Sequence, residues 1–299
     1  MSNKSIYIII PVHNRKSLTL ACLENLKTNG DLQKYQVIVV DDGSSDRTSE
    51  EVTANYPEAT ILKGDGNLWW TGAIDLGMKY AYEKGAEYFI WLNDDCQFRD
   101  RTLTDLVEFA SIHQDSIIGC QGIEIGTSNQ IAFGGKVKTW KGYRFIQPLS
   151  QIVTPCDVLS GNIVCLPRNV VQKIGYPNPK ITPHYGGDSL YLILAQKAGF
   201  SIYVDNRNSV YSISGESKLY PQNWLMGKGK ALDILKLVFV PQSGLSWRIW
   251  LNINWEAYGV WGIVMFCKKY LSILLITALR FLPLELRLKL FSIKKHEEP

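Results

Sequence analysis

An α/β fold, with a mostly parallel sheet flanked by helices and a helical extension at the C-terminus, is what this sequence predicts. Three observations point to it. Short apolar runs alternate with amphipathic stretches from the start, the pattern of strands that cross over through helices. Polar residues gather just after those runs, where an open parallel sheet leaves its crevice. From Trp224 onward the character changes to long helical stretches, with nine aromatic residues between Trp247 and Phe291.

The expected strands are Ile6 to Pro11, Gln36 to Val40, Thr60 to Leu62, Tyr88 to Leu92 and Ser116 to Gly119, each a β-branched or aromatic run too short for a helix. Helices fill the gaps at about 16–28, 46–55, 72–84 and 101–113. Ser44, Ser45 and Asp46 can cap the second of these, and Asp100 with Thr102 the fourth. Between residue 120 and Cys165 Gly, Thr and β-branched residues dominate, which predicts strands forming a second wall of the crevice. A short helix is expected at 168–174. Another covers Gly187 to Ala198, where Leu190, Ile193, Leu194 and Ala198 fall at helical spacing, and the strand SIYVD follows. The chain thus divides into a body, 1–223, made of parts 1–119 and 120–223, and an extension, 224–299.

With 46% hydrophobic and 20% charged residues the chain can bury a large core. Its six cysteines, Cys22, Cys96, Cys120, Cys156, Cys165 and Cys267, form no CxxC pair and have no His at zinc-ligand spacing, which argues for a reduced compartment. The start MSNKSIYIII enters a strand at once and lacks the pattern of a signal peptide, so a cytoplasmic location is expected. The net charge of +4 is uneven: residues 1–228 hold 22 Lys and Arg against 23 Asp and Glu, and residues 229–299 hold 10 against 5. This excess lies among Trp and Leu, not in the Gly or Ser context of a nucleic-acid tail. Nucleic acid is therefore not an expected partner, whereas an anionic membrane surface at the inner face of the cell membrane is. The uncharged stretches Ala257 to Cys267 and Tyr270 to Leu279, broken by Lys268 and Lys269, are each short of the ~20 apolar residues of a spanning helix. Helices lying in the interface fit better, with a homodimer contact as the other use of such a face.

Two clusters of polar residues carry chemistry. PVHN, Pro11 to Asn14, ends the first strand, and DDGSSD, Asp41 to Asp46, ends the second. Two carboxylates followed by Gly make a concave edge on which Asp42 can accept the ring N–H of a uracil or thymine, while the backbone around Pro11, His13 and Asn14 holds base and ribose. The plainer use of Asp41 and Asp42 is to turn the chain and cap a helix. WLNDDC, Trp91 to Cys96, runs from an apolar strand into adjacent carboxylates that repel one another unless a cation or a proton relieves them. A divalent cation, Mn²⁺ or Mg²⁺, suits such oxygen ligands and can bridge a diphosphate to the protein. Asp95 is the expected direct ligand, with Asp94 on the ribose or on a metal-bound water; an exposed acidic turn is the alternative.

PVHNR, VVDDGSSD, GNLWWTGAIDLG, WLNDD, SGNIVCLPRNVVQKIG and GGDSLYLILAQKAGF together resemble the successive blocks of glycosyltransferase family 2, over roughly residues 5–215. The resemblance implies a GT-A fold, a nucleoside diphosphate sugar donor, a divalent cation at a DxD-like motif, and inversion at the anomeric carbon by direct displacement. It makes 1–119 the nucleotide-binding part and 120–223 the acceptor side. By position it makes Asp42 the base-binding acid, Asn93 to Asp95 the DxD-like motif and Asp188 the general base. Inversion needs such a base because the acceptor hydroxyl must lose its proton while attacking opposite the departing diphosphate. Asp188 follows two glycines and opens a helix, where capping is an acid's ordinary use. In GNLWWTGAIDLG, Asn67, Trp69, Trp70, Thr71 and Asp75 precede or open a helix whose N-terminus can face the diphosphate, and a Trp ring can serve as a sugar platform. As sequence neighbours the two Trp side chains point different ways, so one alone belongs to the site. Two positions depart from the family pattern. Gly187 stands where Glu usually precedes the base, and Ser212, in VYSISGES, stands where a late His often completes the metal site, with His184 a candidate substitute.

The expected function is transfer of a sugar from a UDP- or dTDP-sugar to a hydroxyl of a glycan or lipid-linked acceptor in cell-surface polysaccharide synthesis, rhamnosyl transfer being one candidate. Two readings compete with it. A nucleotidyltransferase would show a basic, Gly-rich phosphate loop near the first strand, which PVHNRKS lacks. A non-catalytic carbohydrate-binding scaffold would follow from the missing Glu and His, against the intact Asp42, Asp95 and Asp188.

Overall fold

The structure, a computed structural model, describes residues 5–126, 130–147, 152–213, 224–225 and 230–291. The end of VYSISGES and the last eight residues of the extension lie outside the described residues. The chain divides into two compact units, Met1–Gly215 and Glu216–Pro299.

In the first unit β1 (Ile6–Val12), β2 (Gln36–Asp41), β3 (Thr60–Lys63) and β4 (Tyr88–Leu92) form a parallel block in the order β3-β2-β1-β4. Next to β4 runs β12 (Ile163–Pro167), antiparallel, and beyond it come β6 (Ser116–Glu124), β13 (Ser201–Ser212) and β10 (Val153–Cys156). The short β5 (Cys96–Phe98) and β7 (Ile131–Phe133) pair with β13 and β6. A separate three-stranded sheet has the order β11 (Val158–Leu159), β8 (Gly135–Thr139), β9 (Gly142–Phe145).

Alternation along the strands decides what covers each face. Ile8, Ile10 and Val12 point to one side. There Leu23 and Leu26 of α1 (Lys16–Thr28), Val52 of α3 (Thr48–Asn55) and Leu103 and Leu106 of α5 (Thr102–Ile112) complete a core. Ile9 and Val40 face α4 (Trp69–Glu83), where Gly77 permits an approach so close that a Cβ would stand 2.4 Å from Ile9 Cγ2. Trp91 fills the space beside α4 and α7 (Gly187–Lys197): its Nε1 donates to Met78 Sδ at 3.2 Å, and its ring lies 5.5 Å from Trp70 and 5.6 Å from Tyr191. The short α2 (Asp31–Lys34) precedes β2, and α6 (Arg168–Ile174) follows β12.

The expected strands and helices of this unit are all present, with the largest differences of extent in α4, β6 and β13. Helix α4 starts at Trp69 instead of 72, and β6 and β13 continue to Glu124 and Ser212 because they pair with each other along both lengths, across a bulge. The caps differ too. Arg47 and Arg101, both at positive φ, are the cap residues of α3 and α5. Asp46 still serves α3: one oxygen accepts Thr48 N–H at 3.1 Å and the other accepts Lys16 N–H at 2.9 Å, tying the starts of two helices together. Asp100 and Thr102 do not cap α5, because the left-handed turn at Arg101 satisfies the Thr102 amide with the Arg99 carbonyl, at 3.4 Å.

The second unit contains α8 (Asp233–Phe239), α9 (Trp247–Tyr258), α10 (Val260–Leu279) and α11 (Leu284–Leu290). From Val260 on, the two short uncharged stretches expected from the sequence are parts of one helix, since α10 runs 20 residues straight through Lys268 and Lys269, while Ala257 and Tyr258 end α9. Lys is a good helix former, so a charged pair interrupts the apolar run without ending the helix. Lys269 folds back onto α9, its Nζ 3.0 Å from the centroid of the Trp250 ring. Among the described residues α10 is the one helix long and apolar enough to cross a membrane, and Val260, Trp261, Val264, Leu271, Leu274 and Leu275 stand exposed along it.

Candidate active site

At the tips of β1 and β2 the loops 11–14 and 42–46 are laced together. His13 Nδ1 donates to the Asp42 carbonyl at 2.6 Å. Asn14, at φ 52, donates its N–H to Ser44 Oγ at 2.8 Å, and its side-chain oxygen accepts the Ser45 N–H at 2.7 Å. Pro11 is half-buried behind this exposed rim. Asp41 turns inward, accepting the Ser44 N–H at 2.9 Å and the Ser49 hydroxyl.

Asp42 is 4% exposed and holds the next loop. One oxygen accepts the amides of Gly66 at 2.8 Å and Leu68 at 3.1 Å, and the other accepts that of Trp69 at 2.8 Å. Its carboxylate is thus an internal anion seated on the positive end of α4. This corrects the expectation that the N-terminus of α4 faces a diphosphate, since Asp42 already satisfies its leading amides. Of roughly four acceptor positions on a carboxylate, one remains for a base.

The GNLWWTGAIDLG residues separate. Asn67 is exposed, with its N–H on Asp65 at 2.9 Å. Trp69, 41% exposed, has its ring 5.4 Å from that of His184, which in turn lies 4.6 Å from Tyr185. Trp70 points the other way, its Nε1 donating to Asn93 Oδ1 at 2.8 Å. Thr71 and Asp75 have partners of their own within the fold. Asp75 pairs with Lys79 one turn along α4, at 2.8 Å. Thr71 is wholly buried against Gly187, where a Cβ would fall 2.0 Å from Thr71 Oγ1. That contact accounts for the absent Glu: Thr71 takes the room that a side chain at 187 would need.

The acid turn after β4 has a resident cation. Arg15 Nε lies 3.1 Å from Asp94 Oδ1 and Arg15 Nη2 lies 3.0 Å from Asp95 Oδ2, while Thr19 donates to Asp94 at 3.0 Å. Burial pushes the Asp94 carboxyl up to about 6, with Arg15 opposing and Asp95 adding to the rise. The alternative of an exposed acidic turn is excluded, since both acids are buried. Ser212 pairs in register with Cys96, and Ile213 N–H donates to the Asp95 carbonyl at 2.9 Å, so the position of the late His does adjoin the turn. Among the described residues no three His, Cys, Asp or Glu side chains are grouped to hold a metal, so His184 does not complete the set. Two hard oxygen donors fit the habit of Mg²⁺-like ions, which take one or two carboxylates plus substrate phosphates, provided Arg15 yields one of them.

Asp188 lies in the first turn of α7. One of its oxygens accepts the Gly161 N–H at 2.7 Å and the other accepts the Ser189 N–H at 2.6 Å. A Cβ on Gly161 would fall 2.7 Å from Trp70 Cζ2 and 2.8 Å from Asp188 Cβ, so only Gly fits there. Asn93, Trp70, Gly161 and Asp188 therefore form one continuous path from the acid turn to the start of α7. Two groups feel the charge of Asp188: burial pulls the His184 imidazole and the Lys136 ammonium below their usual ranges, and the carboxylate opposes both shifts. Sequence reasoning missed Arg15 and Gly161 as neighbours of these acids, though the Arg of PVHNR and the Gly of SGNIV stood within the motifs.

The family model described as Glycosyl transferase family 2 matches residues 7–166. The chain is 25% identical over 142 residues to the dolichol-phosphate mannosyltransferase of Pyrococcus furiosus, covering 46% of this chain and 37% of that protein. It is 27% identical over 123 residues to the UDP-N-acetylglucosamine–dolichyl-phosphate N-acetylglucosaminyltransferase of Methanococcus voltae, covering 36% of this chain and 48% of the relative. The chain thus spans less than half the length of the curated relatives it matches. Among solved structures it is similar to S. aureus TarS 1-349 in complex with UDP-GlcNAc, at TM-score 0.58 and 14% identity over 93% of this chain and 90% of that one. It is also similar to the mannosyltransferase PcManGT from Pyrobaculum calidifontis in complex with GDP-Man and Mn²⁺, at TM-score 0.53 and 12% identity over 97% and 88%. These likenesses bear on the fold, which is GT-A.

Proposed function

The chain belongs to glycosyltransferase family 2, and from that premise we propose that it is an inverting glycosyltransferase. It moves a sugar from a nucleoside diphosphate donor, UDP- or dTDP-linked, to a hydroxyl of a glycan or lipid-linked acceptor in cell-surface polysaccharide synthesis. The observation that carries this reading is the path Asn93–Trp70–Gly161–Asp188, which links the acid turn to a carboxylate oriented by two backbone amides.

The acceptor hydroxyl gives its proton to Asp188 as its oxygen attacks the anomeric carbon from the side opposite the diphosphate. A new glycosidic bond forms as the sugar–phosphate bond breaks, with inversion. The laced rim of Pro11, His13 and Asn14, with the remaining acceptor position of Asp42, takes the nucleoside. Of the two Trp rings, Trp69 with His184 and Tyr185 supplies an aromatic surface for a sugar, while Trp70 braces the path to the base. A divalent cation would be held by Asp95, with Asp94, and by the donor diphosphate, neutralising charge on the leaving group. The Mn²⁺ of the similar mannosyltransferase supports that role. The apolar face of α10 and the basic excess of the second unit support peripheral attachment at the inner face of the cell membrane.

The test is incubation with a panel of UDP-, dTDP- and GDP-sugars and Mn²⁺, with release of nucleoside diphosphate as readout. Asp188→Asn should keep donor binding and lower turnover by roughly 10² to 10⁴. Full activity in that variant would remove Asp188 from the mechanism. No release across the panel, with no nucleotide changing the melting temperature, would favour the non-catalytic scaffold.

A further inference from the structure

Arg15 is held unlike an ordinary counter-ion. A guanidinium that serves one carboxylate settles into a forked pair, two parallel N–H groups on two oxygens. Arg15 divides itself instead: Nη2 donates to Asp95 Oδ2 at 3.0 Å, while Nε stands 3.1 Å from Asp94 Oδ1 without the alignment of a hydrogen bond. Nε is buried and has no hydrogen-bond partner among the described residues. A guanidinium has five N–H donors, and among the described residues one of those of Arg15 is in use.

The layering of the three side chains adds to this. Asp94 and Asp95 are 2% and 9% exposed and Arg15 is 37% exposed, so the guanidinium is the outer member, between the acids and water. Its backbone is fixed from both sides: Asn14 N–H donates to Ser44 Oγ, Lys16 N–H donates to Asp46 at 2.9 Å, and the Arg15 carbonyl accepts the Thr19 N–H at 2.9 Å. What is left to move is a long side chain rich in rotamers. It starts at the end of the rim formed by Pro11, His13 and Asn14 and ends on the acid turn, so it joins the loop that takes the nucleoside to the acids that take a cation.

Two buried carboxylates side by side need a positive charge whether or not a donor is present. A donor brings phosphates, which match a guanidinium fork better than one oxygen from each of two acids. We propose that Arg15 is an exchangeable counter-ion that binds the donor diphosphate: it rests on Asp94 and Asp95 in the empty protein and turns onto the diphosphate when the donor arrives, leaving both acids to the divalent cation. This rests on the transferase reading. Donor and cation then favour each other's binding, because each stabilises the position of Arg15 that the other needs.

The experiment uses the full-length wild type, Arg15→Gln and Arg15→Lys. The probes are Mn²⁺ alone, read by electron paramagnetic resonance, and UDP or dTDP, whichever binds tighter, against its own nucleoside in saturating Mg²⁺, read by calorimetry. Arg15→Gln should bind Mn²⁺ alone at least about tenfold more tightly than the wild type, and its preference for diphosphate over nucleoside should fall at least about tenfold, the ratio that one charge-assisted hydrogen bond provides. A role confined to neutralising the acids would move the first quantity and leave the second. Should Arg15→Gln fail to fold, the wild type decides: the NMR signal of Arg15 Nε–H, assigned by its absence from Arg15→Lys, should shift with diphosphate and Mg²⁺ and stay in place with nucleoside and Mg²⁺. An unmoved signal with diphosphate, an unchanged Mn²⁺ affinity in Arg15→Gln, or an unchanged diphosphate preference in that variant would each overturn the proposal. Failure of the wild type to bind any nucleotide would instead overturn the transferase reading.

Discussion

Replacing Asp42 by Asn asks whether this acid is an anion built into α4 or a group free to read a base. The change keeps shape and turns one oxygen into an NH₂ group. Because one oxygen holds the amides of Gly66 and Leu68 and the other only that of Trp69, the better rotamer keeps the first two bonds. The new NH₂ then faces the Trp69 N–H, donor against donor. Losing a hydrogen bond to a charged group costs about 1.5–3 kcal/mol. Removing the anion from the helix N-terminus costs about 0.3–1 kcal/mol, and up to about 2 where partly buried. The expected destabilisation is about 3 kcal/mol. At roughly 2–4 °C per kcal/mol for a domain of this size, the melting temperature falls by about 6–12 °C. Thermal unfolding followed by circular dichroism, with a urea titration to supply the free energy, measures it. A variant with the melting temperature of the wild type but a weakened affinity for UDP would refute the reasoning, because the carboxylate would then be spent on the base.

Other expectations concern different parts of the molecule. Gly187→Ala sets a Cβ 2.0 Å from Thr71 Oγ1 and should destabilise by about 1–3 kcal/mol; pairing it with Thr71→Ala should recover most of that, and strictly additive effects in urea titrations would exclude the collision. Arg15→Met leaves two buried carboxylates side by side and should cost about 3–5 kcal/mol at pH 7. Part of that should return on adding Mn²⁺, and a melting temperature indifferent to the metal would count against a metal role for Asp94 and Asp95. Burial pushes Asp31 from 3.8 up to about 6, so the folded chain holds this proton more tightly than the unfolded chain, and stability declines as pH rises from about 4 to 6. Asp31→Asn should flatten that decline and raise the melting temperature at pH 7; parallel pH profiles for the two proteins would contradict it. Serine at Val264, Leu271 and Leu275 together should release the protein from phosphatidylglycerol vesicles in a flotation assay, and unchanged flotation would assign that face of α10 to another contact.

What was legible in the sequence is what neighbours in the chain decide. The runs Ile6 to Pro11 and Tyr88 to Leu92, and the helices at 16–28 and 168–174, stand where their own patterns put them. The divergence of Trp69 and Trp70 also followed from adjacency. What was not legible is pairing across distance. Arg15 and the acids at 94 and 95 meet because β1 and β4 are neighbours in the sheet, and Asp42 is spent on amides 24 to 27 residues further along the chain. Each acid could be picked out from sequence, but not the partner already holding it. The same blindness split α10 in two, since the charge of Lys268 and Lys269 is visible in sequence and the Trp250 ring over which Lys269 lies is not.

The two sheets of the first unit hold the two ends of the candidate site separately. The acid turn is bolted to the large sheet through β5 and β13, whereas Asp188 is gripped by Gly161, just past the end of β11 in the small sheet. The contacts that seat Asp188 can therefore be altered through residues 158–161 without touching the loops at 11–14 and 42–46.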